Sequence, residues 1–186
     1  MSDWQRLLKF RCTGCGNCCR ETMVMLTDAD IGRLASGTAR PWRDFVRFVR
    51  EGDITLEKRS PYWVRLRSKR YVLALRWKRR ACVFLGEDNR CTVYESRPLA
   101  CREHPFAIEH SDSGGLLKLT KSRVGRCPNE WDGRLLRRDL VALSRWTGRE
   151  SESYRERLKQ WNRLGQGERI RSRFMHWLLE GSTGGS

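Results

Sequence analysis

No stretch of this chain approaches the roughly 20 consecutive apolar residues that a membrane span requires, which excludes a helical transmembrane protein. The opening run MSDWQRLLKF carries charges through its short apolar portion and has no small-residue cleavage site, so no secretory signal is expected. A P-loop, a dinucleotide glycine fingerprint and a serine nucleophile elbow are all missing; Gly114-Gly115 reads as a turn rather than a phosphate cradle. Apolar residues are few, at 39% of 186, so the core must be modest. Length alone fits one domain with a helical appendage. Acid is also short: 22 Asp and Glu face 38 Lys and Arg. The net charge of +16 favours polyanions or an acidic protein as partner.

What is abundant stands out against those absences. Eight tryptophans supply large buried area per residue and offset the shortage of aliphatic side chains. Eight cysteines are the second excess, and four of them, Cys12, Cys15, Cys18 and Cys19, fall within the run FRCTGCGNCCR. Packing does not ask for so many thiols in a polar, glycine-containing stretch. A soft cation or an iron–sulfur cluster does, because thiolates from a short loop converge on it. In the cytoplasm, the expected location, thiols stay reduced, which favours metal ligation over a disulfide framework.

Cys12, Cys15 and Cys18 follow the C-x₂-C-x₂-C spacing that wraps a [4Fe–4S] cluster in ferredoxin-like loops, whose fourth ligand is a distant Cys-Pro. Cys127-Pro128 supplies one. Gly14 and Gly16 allow the sharp bends such a loop needs. Side chains of adjacent residues diverge, so Cys19 is assigned to a second site with Cys82, Cys91 and Cys101. Zinc fits the same residues, since four-thiolate zinc draws closely spaced pairs from two segments. All eight cysteines are therefore candidate ligands, for zinc or an iron–sulfur cluster, with the cluster favoured.

Thr27 followed by Asp30 marks a helix start, with Ile31 and Leu34 facing the core and Gly37 as its stop. A second helix is expected from Pro41 to Gly52, carrying Phe45, Phe48 and Val49. Residues 62–77 read as a β-hairpin turning at Arg67 to Arg70, with Tyr62, Val64, Leu66, Tyr71, Leu73, Leu75 and Trp77 on one face. ACVFL is a short strand, GEDNR a turn leading to Cys91, and FAIEH and LLKLT a hairpin around SDSGG. From 132 to 180 apolar residues recur at helical spacing, and EGSTGGS reads as a disordered tail. The expected fold is α+β: a small cysteine-rich, metal-bound core with β-hairpins over 1–130, a helical extension over 131–180 packed on it, and a tail at 181–186.

Other chemistry is thinner. His104, beside Cys101, could ligate metal, whereas His110 and His176 show no ligand spacing. Glu95 and Arg97 read as an ion pair, and Arg102 as a hydrogen-bond donor to a thiolate. Between residues 59 and 80 there are nine basic residues and no acidic one. That hairpin, with Arg65, Arg67, Arg70, Arg76 and Lys78 on one face and Trp63 available to stack on bases, is the basis of an alternative reading as a metal-stabilised nucleic-acid-binding module. No residue is assigned a catalytic role.

The segments FRCTGCGNCCR, CVFL and CTVYESRPLACREHPF, followed by a later cysteine, resemble the YkgJ-type cysteine-cluster proteins, a family with eight cysteines described as zinc- or iron-chelating. The resemblance runs from residue 10 to about 128. It implies that Cys12, Cys15, Cys18 and Cys19 form a first ligand cluster. Cys82, Cys91, Cys101 and Cys127 complete the set, with Arg97-Pro98, Arg102 and Pro105-Phe106 around them. The basic, tryptophan-rich C-terminal third lies outside the shared pattern. A related cysteine domain occurs in flagellin lysine methylases; no S-adenosylmethionine fingerprint is present here.

Overall fold

The computed structural model describes residues 3–113, 115–121, 128 and 130–180. Cys127 and the tail at 181–186 lie outside the described residues. Short elements come first: α1 (Asp3–Leu7), α2 (Asn17–Glu21), α3 (Asp28–Thr38), β1 (Val46–Arg50), β2 (Val64–Leu66), β3 (Lys69–Leu75), β4 (Trp77–Lys78) and β5 (Ala81–Cys82). They are followed by α4 (Leu99–Glu103), β6 (Phe106–His110), β7 (Leu116–Lys121), α5 (Arg137–Asn162) and α6 (Arg171–Glu180). The fold is α+β with a helical C-terminal part. Among the described residues no helix is long and apolar enough to cross a membrane.

Helix α3 starts as its residues dictate. The Thr27 hydroxyl accepts the Asp30 amide at 3.1 Å, and the Asp30 carboxylate accepts the Thr27 amide at 3.0 Å, a reciprocal capping box. Its last residue is Thr38, and Ala39 in the left-handed region (φ 52°) follows. Gly37 is therefore inside the helix, where it permits the close approach of Ser96.

The expected helix over 41–52 does not form. A 3₁₀ turn at Trp42–Asp44 leads instead into β1, which pairs antiparallel with β3 from Val46↔Leu75 to Arg50↔Tyr71. The reason lies in VRFVR: β-branched and aromatic residues alternate with arginine, a pattern of period two that suits a pleated surface better than a helix. β2 pairs with the other side of β3, giving the sheet order β1-β3-β2. The turn between β2 and β3 is tighter than expected and comprises Arg67 and Ser68.

Both faces of this sheet are covered. Val46, Val64, Leu66, Leu73 and Leu75 enter the main core together with Tyr154, Leu158 and Trp161 of α5 and Phe174, Met175 and Leu178 of α6. On the reverse face Val49, Val72, Ala74 and Trp63 form a second, smaller cluster under Met23, Met25, Ile54 and Leu56. Of the basic residues expected on the hairpin's outer face, Arg65, Arg67, Arg76 and Lys78 are exposed, but the sheet face beneath them is covered. Trp63 is 4% exposed, too buried to stack on bases, and its indole N–H donates to the Glu57 carbonyl at 2.9 Å. Arg70 is held by Glu51 and the Lys58 carbonyl, and Arg76 donates to the Arg43 carbonyl at 3.1 Å.

Residues β4 and β5 form a small hairpin whose two turn residues, Arg79 and Arg80, both have left-handed backbones (φ 52° and 62°). β6 and β7 pair as FAIEH and LLKLT require. Helix α5 begins at Arg137, so Leu135 and Leu136 precede it. Arg157 of α5 joins three elements, pairing with Asp28 at 3.0 Å and donating to the Leu178 carbonyl at 2.6 Å.

Candidate metal centre

Two arms of chain bring the cysteines together. The first is zipped to the segment that precedes α5. The Arg11 amide donates to the Glu130 carbonyl at 2.9 Å, the Thr13 hydroxyl donates to the Pro128 carbonyl at 3.0 Å, and the Arg11 guanidinium is paired with Asp132 at 2.8 Å. Cys12 is exposed here, its sulfur accepting the Gly14 amide at 3.4 Å. Gly14 (φ 67°) and Gly16 (φ 71°) then turn the chain through the left-handed region into α2. A side chain at Gly16 would meet the Asn89 carbonyl oxygen at 2.9 Å. Arg20 holds the bend shut, bonding both the Cys15 carbonyl and the Asn89 side chain.

The second arm carries Cys82 at the end of β5, Cys91 after a tight turn and Cys101 on α4. The Gly86 amide donates to the Arg90 carbonyl at 2.8 Å, and Leu85 bridges to Cys91. The α4 turn is anchored on α3, because the Leu99 amide donates to the buried Asp30 carboxylate at 2.8 Å. Asp30 therefore serves α3's cap, Arg33 and the cysteine-bearing helix at once. Its capping role is legible in the sequence; its link across 69 residues to Leu99 is not.

All seven described cysteines are free thiols. Cys18 and Cys19 stand within hydrogen-bonding reach of one another, as do Cys19 and Cys82. Cys91 and Cys101 stand close enough for their charges to act on this chain of thiols. Spacing groups Cys18 with Cys12 and Cys15, and its side chain also lies within reach of Cys19, its neighbour on the single turn of α2.

The electrostatics follow from that crowding. Donating to Cys19, together with burial, pushes the Cys18 pKa far up. Cys19 gains from accepting the Cys18 proton, but donation to Cys82, burial and neighbouring sulfurs outweigh this and push it to about 12. Burial raises Cys91 and, more strongly, Cys101, where Cys18, Cys19, Cys91 and Asp30 add to it. Cys82 moves down, because it accepts from Cys19 and from the Phe84 amide against the cost of burial. Of these thiols, Cys82 gives up its proton most readily. Ionising several together needs a cation among them.

The donor set fits a soft metal in kind and number. Among the described residues, no three Cys, His, Asp or Glu side chains stand together as a ready coordination group.

The remaining sequence candidates fall elsewhere. Arg102 donates to the Arg97 and Glu95 carbonyls rather than to a thiolate. Arg97 donates to the Tyr94 carbonyl at 2.8 Å and lies over the Tyr94 ring rather than pairing with Glu95. Its charge nonetheless favours the Cys91 thiolate. His104 is half-buried, and burial and Lys121 lower its pKa; His110 lies beside the Ser111 carbonyl; His176 is paired with Glu180.

The model of the CxxCxxCC family, described as a putative zinc- or iron-chelating domain, matches residues 11–128. The chain belongs to this family. The match begins one residue before Cys12 and ends one residue past Cys127, so it encloses all eight cysteines and leaves α5 and α6 outside. Comparison with curated proteins and with solved structures gives no match.

Proposed function

We propose that the eight cysteines, Cys12, Cys15, Cys18, Cys19, Cys82, Cys91, Cys101 and Cys127, hold the family's zinc or iron as thiolates, and that the metal cross-links segments too short to hold themselves in place. The observation that carries this reading is the thiol network Cys18–Cys19–Cys82, with Cys91 and Cys101 beside it. Its members come from a five-residue helix, a two-residue strand, a turn and another five-residue helix. Elements that short are not stable by themselves. A metal bound by four thiolates contributes of order 10 kcal/mol in small metal-dependent domains, far above what their hydrogen bonds supply.

An iron–sulfur cluster is favoured over zinc by the Cys12-x₂-Cys15-x₂-Cys18 spacing and by Cys127-Pro128. A cytoplasmic setting suits this reading, since free thiols persist there. Protein purified without oxygen tests it. About four iron and four sulfide per chain, with a broad band at the blue end of the visible spectrum, supports the cluster. One or two bound zinc with no colour replaces it by structural zinc. A chain without tightly bound metal, folded and stable, refutes the proposal.

A further inference from the structure

The edge of the β1-β3-β2 sheet presents a second feature, unconnected to the cysteines. β2 is an edge strand, and α5 closes its open side. The Asn162 side chain accepts the Arg65 amide and donates to the Trp63 carbonyl, both at 2.7 Å, as a neighbouring strand would. The Trp161 indole N–H donates to the Arg65 carbonyl at 3.0 Å. This clamp presses the β2–β3 turn against the connection between α5 and α6, where the Arg67 amide donates to the Arg169 carbonyl at 2.8 Å.

The junction gathers five cations: Arg67 and Lys69 from the turn, Arg169 from the connection, Arg171 from the start of α6 and Arg50, which faces Tyr71 across β1 and β3. Arg171 is fixed above two rings, 4.5 Å from Phe48 and 5.6 Å from Tyr71. Arg169 has a buried Nε with no hydrogen-bond partner. Among the described residues none of the five is ion-paired, in a molecule where Arg11, Arg33, Arg70 and Arg157 all are. Glu168 is the one acidic residue of the connection 163–170.

We infer that this strip binds the phosphate backbone of a nucleic acid without reading its sequence. Four of the five cations are arginines, whose planar guanidinium matches phosphate in a bidentate way. A backbone hydrogen bond from Arg67 to Arg169 holds the turn to the connection, and ring stacking restrains Arg171, so less entropy is lost on contact. Arg50, Arg67, Lys69 and Arg171 are exposed and come from separate places in the fold, which suits successive phosphates better than one small anion. Its single exposed large apolar side chain is Ile170, too little for insertion into a membrane. No exposed aromatic ring lies in it to stack on bases, so sequence preference is not expected.

The test compares two triple variants of the full chain with its metal in place. One is Arg67→Gln/Lys69→Gln/Arg171→Gln; the control, Arg134→Gln/Arg138→Gln/Arg149→Gln, removes the same charge from exposed positions elsewhere. Binding of a labelled oligonucleotide, as single-stranded RNA, single-stranded DNA and duplex DNA, is followed by anisotropy across salt, with thermal melts and metal content confirming that both variants are folded. At about 0.1 M salt the strip variant loses at least about tenfold in affinity, and its slope of log K against log salt falls by about two, while the control changes less than about twofold. RNA and DNA binding equally supports recognition of phosphate alone. Equal losses in both variants mean diffuse attraction by net charge and overturn the proposal. So does an unchanged strip variant, absence of binding by the unaltered protein, or a loss confined to anionic vesicles.

Discussion

Gly16 is the residue on which the arrangement of α2 turns. It needs a left-handed backbone, which costs a residue with a Cβ about 1–2 kcal/mol, and an added methyl would also press on the Asn89 carbonyl oxygen. Gly16→Ala is expected to destabilise by about 2 kcal/mol and to lower metal occupancy, because Cys18 and Cys19 follow immediately. Urea denaturation with metal analysis checks it; full occupancy at unchanged stability would show that α2 tolerates another entry. Asp132 gives a pH-dependent counterpart. Hydrogen bonding and charge from Arg11 hold its carboxyl below the ordinary range. A lowered folded-state pKa means the contribution is present above the unfolded value and is lost as pH falls through the folded one. The protection factor of the Arg11 amide, the exchange rate corrected for its intrinsic pH dependence, should therefore fall on acidification into that window and stay constant above it. Asp132→Asn should abolish the pH step.

At the scale of elements, the left-handed Arg79-Arg80 turn is under strain that glycine would relieve. Arg80→Gly is expected to stabilise the β4–β5 hairpin by about 0.5–1 kcal/mol, the relief exceeding the added flexibility of the unfolded chain. A rise in melting temperature checks this, and a fall would show that the Arg80 side chain contributes more than its backbone costs. The Asn162 clamp makes the opposite prediction. Asn162→Ala leaves the Arg65 amide and the Trp63 carbonyl without partners, at about 1–3 kcal/mol, and should expose the Arg65 amide to exchange. Elements also show where pattern and propensity diverge. The capping box of α3 and the FAIEH–LLKLT hairpin are legible because their signals are local. β1 is misread as helix because Pro41 and Gly52 frame it like helix signals, while VRFVR gains its stability from pairing with residues about 25 positions later.

At the scale of the whole molecule, the main core spans both the family segment and the C-terminal helices. Phe174 is fully buried among Trp161, Trp177 and Phe48, with ring centres 5.0 to 6.3 Å away. Phe174→Ala is expected to cost about 3–5 kcal/mol and to loosen the cysteine half as well, seen as a single cooperative transition at lower denaturant. A separate transition for α5 and α6 would show that they fold apart. The sequence by itself determined the α+β class, the eight thiols, the family and the capping box of α3, since each rests on composition or on neighbours a few residues apart. Tertiary structure alone decided that Cys19 comes beside Cys82, that Trp63 and the reverse face of the sheet are buried, and that a basic strip forms where α5 meets the β2 edge. Those outcomes depend on contacts across tens of residues, and no local pattern encodes which distant surface will cover a given side chain.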